Sequence, residues 1–177
     1  MDAMAPFRIS IASLKADESN YHWELNQDFL KLFDDEHDTE KGQFTVSLTL
    51  QRSGTVTTMN FDITGMVETN CDRCTAPINL PLEGNYEIIV KFGDATQTTD
   101  EVIFVDPESN GLNVGQLIYD FILLSIPFSR RIPGCETLSS PPCDMTVLNY
   151  LSETKAENKA RDDTDSLWED LKKITDN

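Results

Sequence analysis

Positive charge is what this sequence has least of. Its 14 lysines and arginines stand against 31 aspartates and glutamates, a formal net charge of −17 over 177 residues. Nucleic acid is itself a polyanion, and proteins that bind it usually carry a basic face. The balance argues against unaided nucleic-acid binding and suits either plain solubility or a basic partner. Histidine is nearly missing: His22 and His37 both lie far along the chain from the cysteines and read as ordinary surface or half-buried residues. The opening MDAMAPFRIS has no basic segment and no long apolar run, so no secretory signal is expected. Nothing approaches a membrane span, and a cytoplasmic location is the default expectation. A glycine-rich phosphate loop and a G-x-S-x-G turn are missing too. The carboxylates scatter through loops and helix ends, where solvation explains them better than acid–base chemistry. The expectation is a protein that is not an enzyme.

What is present is mostly β pattern. FRISIASL, from Phe7, alternates at its start and predicts a strand. NYHWELNQDFLKLFDDE alternates through Tyr21, Trp23 and Leu25, then turns to helical spacing through Phe29, Leu32 and Phe33. It predicts a short strand passing into a short helix that ends near Asp34. From Gly42 the alternation is clear: Phe44, Val46, Leu48 and Leu50, a break at RSG, then Val56, Met59, Phe61 and Ile63. That is a hairpin with a short turn containing glycine. Ile78, Leu80 and Leu82 alternate, Gly84 interrupts, and Tyr86, Ile88, Val90 and Phe92 resume. EVIFVD adds one more strand. Together these imply an antiparallel meander.

LNVGQLIYDFILLSIP carries a helical stripe, with Asn113 as the expected N-cap and Pro127 as the stop. This helix should cover one face of the sheet. LSETKAENKARDDTD is nearly free of apolar residues and reads as a solvated linker. SLWEDLKKI follows, with a capping box at Ser166 and Glu169 and an apolar stripe through Leu167, Trp168, Leu171 and Ile174. The fold class expected is α+β. It has a mostly antiparallel β core (sheet or partly closed barrel), one main covering helix and a short C-terminal helix. One domain spans 1–150, a flexible charged linker 151–165, and the terminal amphipathic helix 166–177.

Four cysteines stand out. Cys71-x2-Cys74 is a tight pair of the kind that places two sulfurs on one ion, and Cys135-x7-Cys143 is a looser one whose spacer contains two prolines. Both lie in polar, turn-like sequence, whereas inert cysteines usually sit in apolar runs. All four read as zinc ligands, or as reduced thiols with no ion. A thiol redox protein is the third reading, although CDRC lies between two strand signals and lacks the βαβ setting of such enzymes.

The pieces GMVETNCDRC, IYDFILLSIPFSRRIPGC and DSLWEDLKKI, in that order across most of the chain, resemble the YceD family of large ribosomal RNA subunit accumulation proteins. The resemblance implies a small bacterial cytoplasmic protein linked to accumulation of large-subunit ribosomal RNA. It covers Cys71, Cys74, Cys135 and Cys143, although the second pair is tighter in many members. No catalytic residue carries over. The implied function is a non-enzymatic ribosome-biogenesis factor; the alternative is a zinc-stabilised interaction module without a ribosomal role. Because the chain is acidic, the expected partner is a basic large-subunit ribosomal protein or a pre-ribosomal particle. The candidate contacts are Asp34, Asp35, Glu36, Asp38 and Glu40 in one loop, and Leu167, Trp168 and Leu171 in the tail. Arg130 and Arg131 allow a small local RNA contact.

Overall fold

The computed structural model describes residues 3–10, 18–33, 41–99, 101–109, 111–135 and 138–161. Its described contacts divide into two compact units. One comprises Met1–Thr69 with Asn79–Arg130, and the other Asn70–Ile78 with Arg131–Asn177. The CDRC turn thus groups with the chain from Arg131 onward.

In the first unit the chain enters through a 3-10 turn, Ala5–Phe7, then β1 (Arg8–Ile9). The strand expected from Phe7 therefore starts one residue later, because Phe7 is tucked inside the turn as a buried ring. β2 (Glu18–Asn26) passes directly into α1 (Gln27–Leu30), as the change of spacing predicts. Asn26 makes the join: its side-chain oxygen accepts the Asp28 N–H at 2.8 Å. β3 (Lys41–Ser53) and β4 (Val56–Asn70) form the long hairpin, closed by Gly54 at φ 62°. That left-handed conformation costs a residue with a Cβ about 1–2 kcal/mol, which glycine avoids.

The register explains the core. Val46 faces Ile63, Leu48 faces Phe61 and Leu50 faces Met59 across the ladder, and all six are buried. Each alternate residue therefore meets another apolar side chain, and a slip of one place would turn the whole row to solvent. Truncating one, Leu48→Ala, costs about 2–5 kcal/mol. β2 pairs antiparallel with β3 and sets Tyr21 opposite Leu48 and Trp23 opposite Val46.

β5 (Pro77–Phe92) runs through Gly84 without a break, and β6 (Val102–Val105) follows. Among the described residues these strands make one open sheet in the order β2-β3-β4-β5-β6, with β2 and β6 as edges, rather than a closed barrel. The last pairing departs from the expected antiparallel meander. β6 lies parallel to β5, with Ile89 opposite Val102 and Phe92 opposite Val105. The chain doubles back through a 3-10 turn, Ala95–Gln97, whose N–H at Thr96 is taken by Asp94 Oδ1 at 2.9 Å.

β7 (Leu112–Asn113) pairs with β1, and α2 (Gly115–Ser125) follows. Val114 occupies the N-cap position, yet Asn113 still does the capping: its Oδ1 accepts the Gly115 N–H at 2.8 Å. The helix ends before Pro127, as expected. α2 covers the apolar face of the sheet. Phe121 meets Phe61 edge-on at 5.2 Å and stacks on Tyr86 at 4.4 Å.

In the second unit lies α3 (Met145–Arg161), a helix that no apolar stripe in the sequence announces. Its start is capped by Asp144, whose Oδ1 accepts the Thr146 N–H at 2.8 Å. It runs into the segment read as a linker from 151. With so few apolar residues it lacks the stripe by which α2 is recognised. The proposed tail helix lies outside the described residues. Among those described, no helix is long and apolar enough to cross a membrane.

Candidate functional site

The site is built from two limbs of the second unit. The first is the turn after β4. The Cys71 N–H donates to the Ala76 carbonyl at 2.8 Å, and the Thr75 N–H returns to the Cys71 carbonyl at 2.9 Å. Thr75 sits at φ 58°, a left-handed conformation costing a threonine about 1 kcal/mol or more. Its hydroxyl offsets part of that by donating to the Cys74 carbonyl at 2.7 Å. The result is a compact knuckle that turns both sulfurs inward: Cys71 is 4% and Cys74 2% exposed.

The second limb runs from Arg131 to α3. Gly134, at φ 66°, turns the chain so that the Cys135 N–H reaches the Ile132 carbonyl at 3.3 Å. Cys143 lies just before the capping residue Asp144. The two sulfurs of this limb, both half-buried, stand 3.1 Å apart and are not bonded. A spacer that looks loose in sequence therefore closes into a tight pair.

The limbs converge. One cavity of about 380 Å³ is lined by all four cysteines, with Arg73, Arg131, the Ile132–Gly134 turn and Leu148 of α3. The Cys74 sulfur accepts from the backbone of Ala76 and from that of Asp144, one on each limb, and also contacts Cys71 and Cys143. The two amides, Ala76 first, hold the Cys74 thiol below its ordinary value, against the opposing effect of burial. Cys143 is pushed the other way, to about 11, first by its hydrogen bond with Cys135 and then by burial and the neighbouring thiols. Crowded sulfurs cannot all ionise together, so one keeps its proton while another accepts hydrogen bonds.

Four sulfurs from two limbs match a structural zinc site in kind and number. Among the described residues no group of three or more His, Cys, Asp or Glu side chains is arranged to hold a metal ion as it stands. The Cys135–Cys143 spacing of 3.1 Å is tighter than the edge of about 3.8 Å that a tetrahedron with Zn–S of about 2.3 Å requires. That pair would open by about 0.7 Å around an ion. Against thiol redox chemistry of the CxxC type, Cys71 follows a strand and enters a turn rather than opening a helix.

His22 belongs to the first unit, on β2, where its Nδ1 pairs with the Ser47 hydroxyl at 3.2 Å. His37 and the acidic loop Asp34, Asp35, Glu36, Asp38 and Glu40 lie outside the described residues, as do Leu167, Trp168 and Leu171. Arg130 is half-buried, its guanidinium donating to the Thr69 hydroxyl at 3.2 Å, which gives it a structural use. Arg131 is the residue whose place the sequence did not disclose: it lines the cysteine cavity. Its closeness to Cys135 in the chain was the available signal. Leu148 has no such signal, since it is carried there by α3, which no apolar stripe announces.

No curated protein and no solved structure matches the chain. The family model described as large ribosomal RNA subunit accumulation protein YceD matches residues 59–175, about two-thirds of the sequence, from the second strand of the hairpin through both cysteine limbs to the tail. The chain belongs to the YceD family.

Proposed function

We propose that this protein is a non-enzymatic factor of large-subunit assembly, acting in the cytoplasm and promoting accumulation of the subunit's RNA through a basic ribosomal protein. The family match over residues 59–175 carries the ribosomal part of the reading. The partner follows from charge. A chain at −17 repels naked ribosomal RNA and attracts basic ribosomal proteins, over a screening length of about 8 Å at physiological salt. Apolar side chains that a partner could cover are at hand at the end of α2, where Phe128 is wholly exposed and Leu124 is 68% exposed.

The four cysteines support a second element of the reading: Cys71, Cys74, Cys135 and Cys143 hold one structural zinc. The ion would supply folding energy to a unit with few apolar residues, and no reaction step.

A native pull-down from the source cell, with protein and RNA identified, tests the function. It should recover a basic large-subunit protein, less of it as salt rises. Neutralising Asp34, Asp35, Glu36, Asp38 and Glu40 should slow association more than it speeds dissociation. Tight binding to protein-free ribosomal RNA, with no ribosomal protein recovered, overturns the partner model.

A further inference from the structure

We propose that Cys135 and Cys143 are an oxidation site, a pair that closes to a disulfide on meeting a peroxide while Cys71 and Cys74 stay reduced. The closure stands on the geometry of the pair alone; its consequence for a bound zinc rests on the reading above.

Three observations single out this pair. Its sulfurs are 3.1 Å apart, between the bonded distance of about 2.05 Å and the spacing of about 3.8 Å within a zinc–thiolate tetrahedron. A movement of about 1 Å therefore makes the bond, and one of similar size in the other direction admits the ion. Access differs as well. Cys135 and Cys143 are half-buried, and residues 138–141 between them are exposed, whereas Cys71 and Cys74 are covered. Reagents in solution therefore reach the second limb first. Finally, the knuckle is fixed by its backbone hydrogen bonds and by Thr75.

The chemistry balances with hydrogen peroxide as the oxidant. One thiolate of the pair attacks a peroxide oxygen, the O–O bond breaks, and the departing hydroxide takes a proton to become water. The sulfenic acid left behind is attacked by the neighbouring sulfur. The S–S bond forms, the S–O bond breaks, and a second water leaves with that sulfur's proton. The two sulfurs together lose two electrons and the peroxide gains two. If zinc is held by all four cysteines, closure withdraws two of its donors and leaves the buried pair too few to keep it.

The sequence makes the test clean. Trypsin leaves Cys135 and Cys143 inside one peptide, residues 132–155, but cuts after Arg73, between Cys71 and Cys74. The full-length protein is treated with one equivalent of hydrogen peroxide, its remaining thiols are blocked with N-ethylmaleimide in denaturant, where the buried pair is also reached, and the digest is weighed. Peptide 132–155 should lose two hydrogens and carry no adduct, while Cys71 and Cys74 each carry one, and a dithiol should restore all four adducts. A chromogenic chelator, read in parallel, should detect zinc released in step with the disulfide. A peptide bridge joining Cys71 to Cys74, or four cysteines equally blocked after peroxide, overturns the proposal. A disulfide forming in protein that contains no zinc would sustain the oxidation site and overturn only the metal.

Discussion

Replacing Gly84 with alanine tests how α2 is held on the sheet. A Cβ at this point of β5 would run into the Ser125 hydroxyl, and would stand 2.7 Å from a Tyr86 ring carbon and 3.1 Å from its hydroxyl. Neither neighbour is free to give way. The Ser125 hydroxyl donates to the Phe121 carbonyl at 2.7 Å and pairs with the Tyr86 hydroxyl at 3.1 Å. The Tyr86 ring lies flat on Phe121, 3° from parallel. Overpacking of this kind costs about 1–3 kcal/mol. Against it, alanine lowers the entropy of the unfolded chain, a gain of about 0.4–1 kcal/mol. The net expectation is a loss of about 1–2 kcal/mol, or several degrees in Tm at about 2–4 °C per kcal/mol for a chain of this length. Urea unfolding followed by tryptophan fluorescence measures it. In a Ser125→Ala background the same replacement should cost less, because one of the two colliding groups is gone. A Gly84→Ala protein as stable as the wild type, or more so, refutes the reasoning and shows that Tyr86 and Ser125 reposition freely.

Three further outcomes are expected. Protein prepared under reducing, chelator-free conditions should contain about one zinc per chain, and Cys74→Ser should abolish it and expose the second unit to protease; metal analysis finding none in the wild type refutes the site. In metal-free, reduced protein the fold raises Cys143 from 9.0 to about 11, first through its hydrogen bond with Cys135, so its contribution is complete below pH 9 and lost between about 9 and 11. The lowered Cys74 acts in the opposite sense, contributing above its ordinary value and fading as pH falls through the lowered one. The unfolding midpoint should decline from pH 9 to 11, and Cys143→Ser should flatten the decline; an unchanged slope would be the contrary result. Asp144→Ala removes the acceptor for the Thr146 and Val147 amides at the start of α3 and should cost about 1 kcal/mol, seen as a lower helix signal on mild heating; an unaltered melt would show that packing alone sets that terminus.

The β core was legible because it is local. Alternation from Phe44 to Leu50 and from Met59 to Ile63, joined across Gly54, determines both the strands and their pairing, since a tight turn fixes the register of what it connects. The passage from strand to helix after Leu25 and the stop before Pro127 were legible because each is local: a change of apolar spacing marks the first and one proline the second. Gly84 misled, because its lack of a side chain looks like a break in the strand, while its use is to admit Tyr86 and Ser125, and that is visible only when α2 is in place. β6 lies parallel to its neighbour by virtue of the path through the Asp94 turn; no residue of EVIFVD encodes a direction. α3 is a helix by propensity and cap, with too thin an apolar stripe to announce itself. The cysteines show the division most plainly. Their type and the tight Cys71–Cys74 spacing were written in the chain. The closing of the loose pair to 3.1 Å, and the gathering of four sulfurs with Arg131 around one cavity, depend on contacts between limbs far apart in sequence, which only tertiary packing brings together.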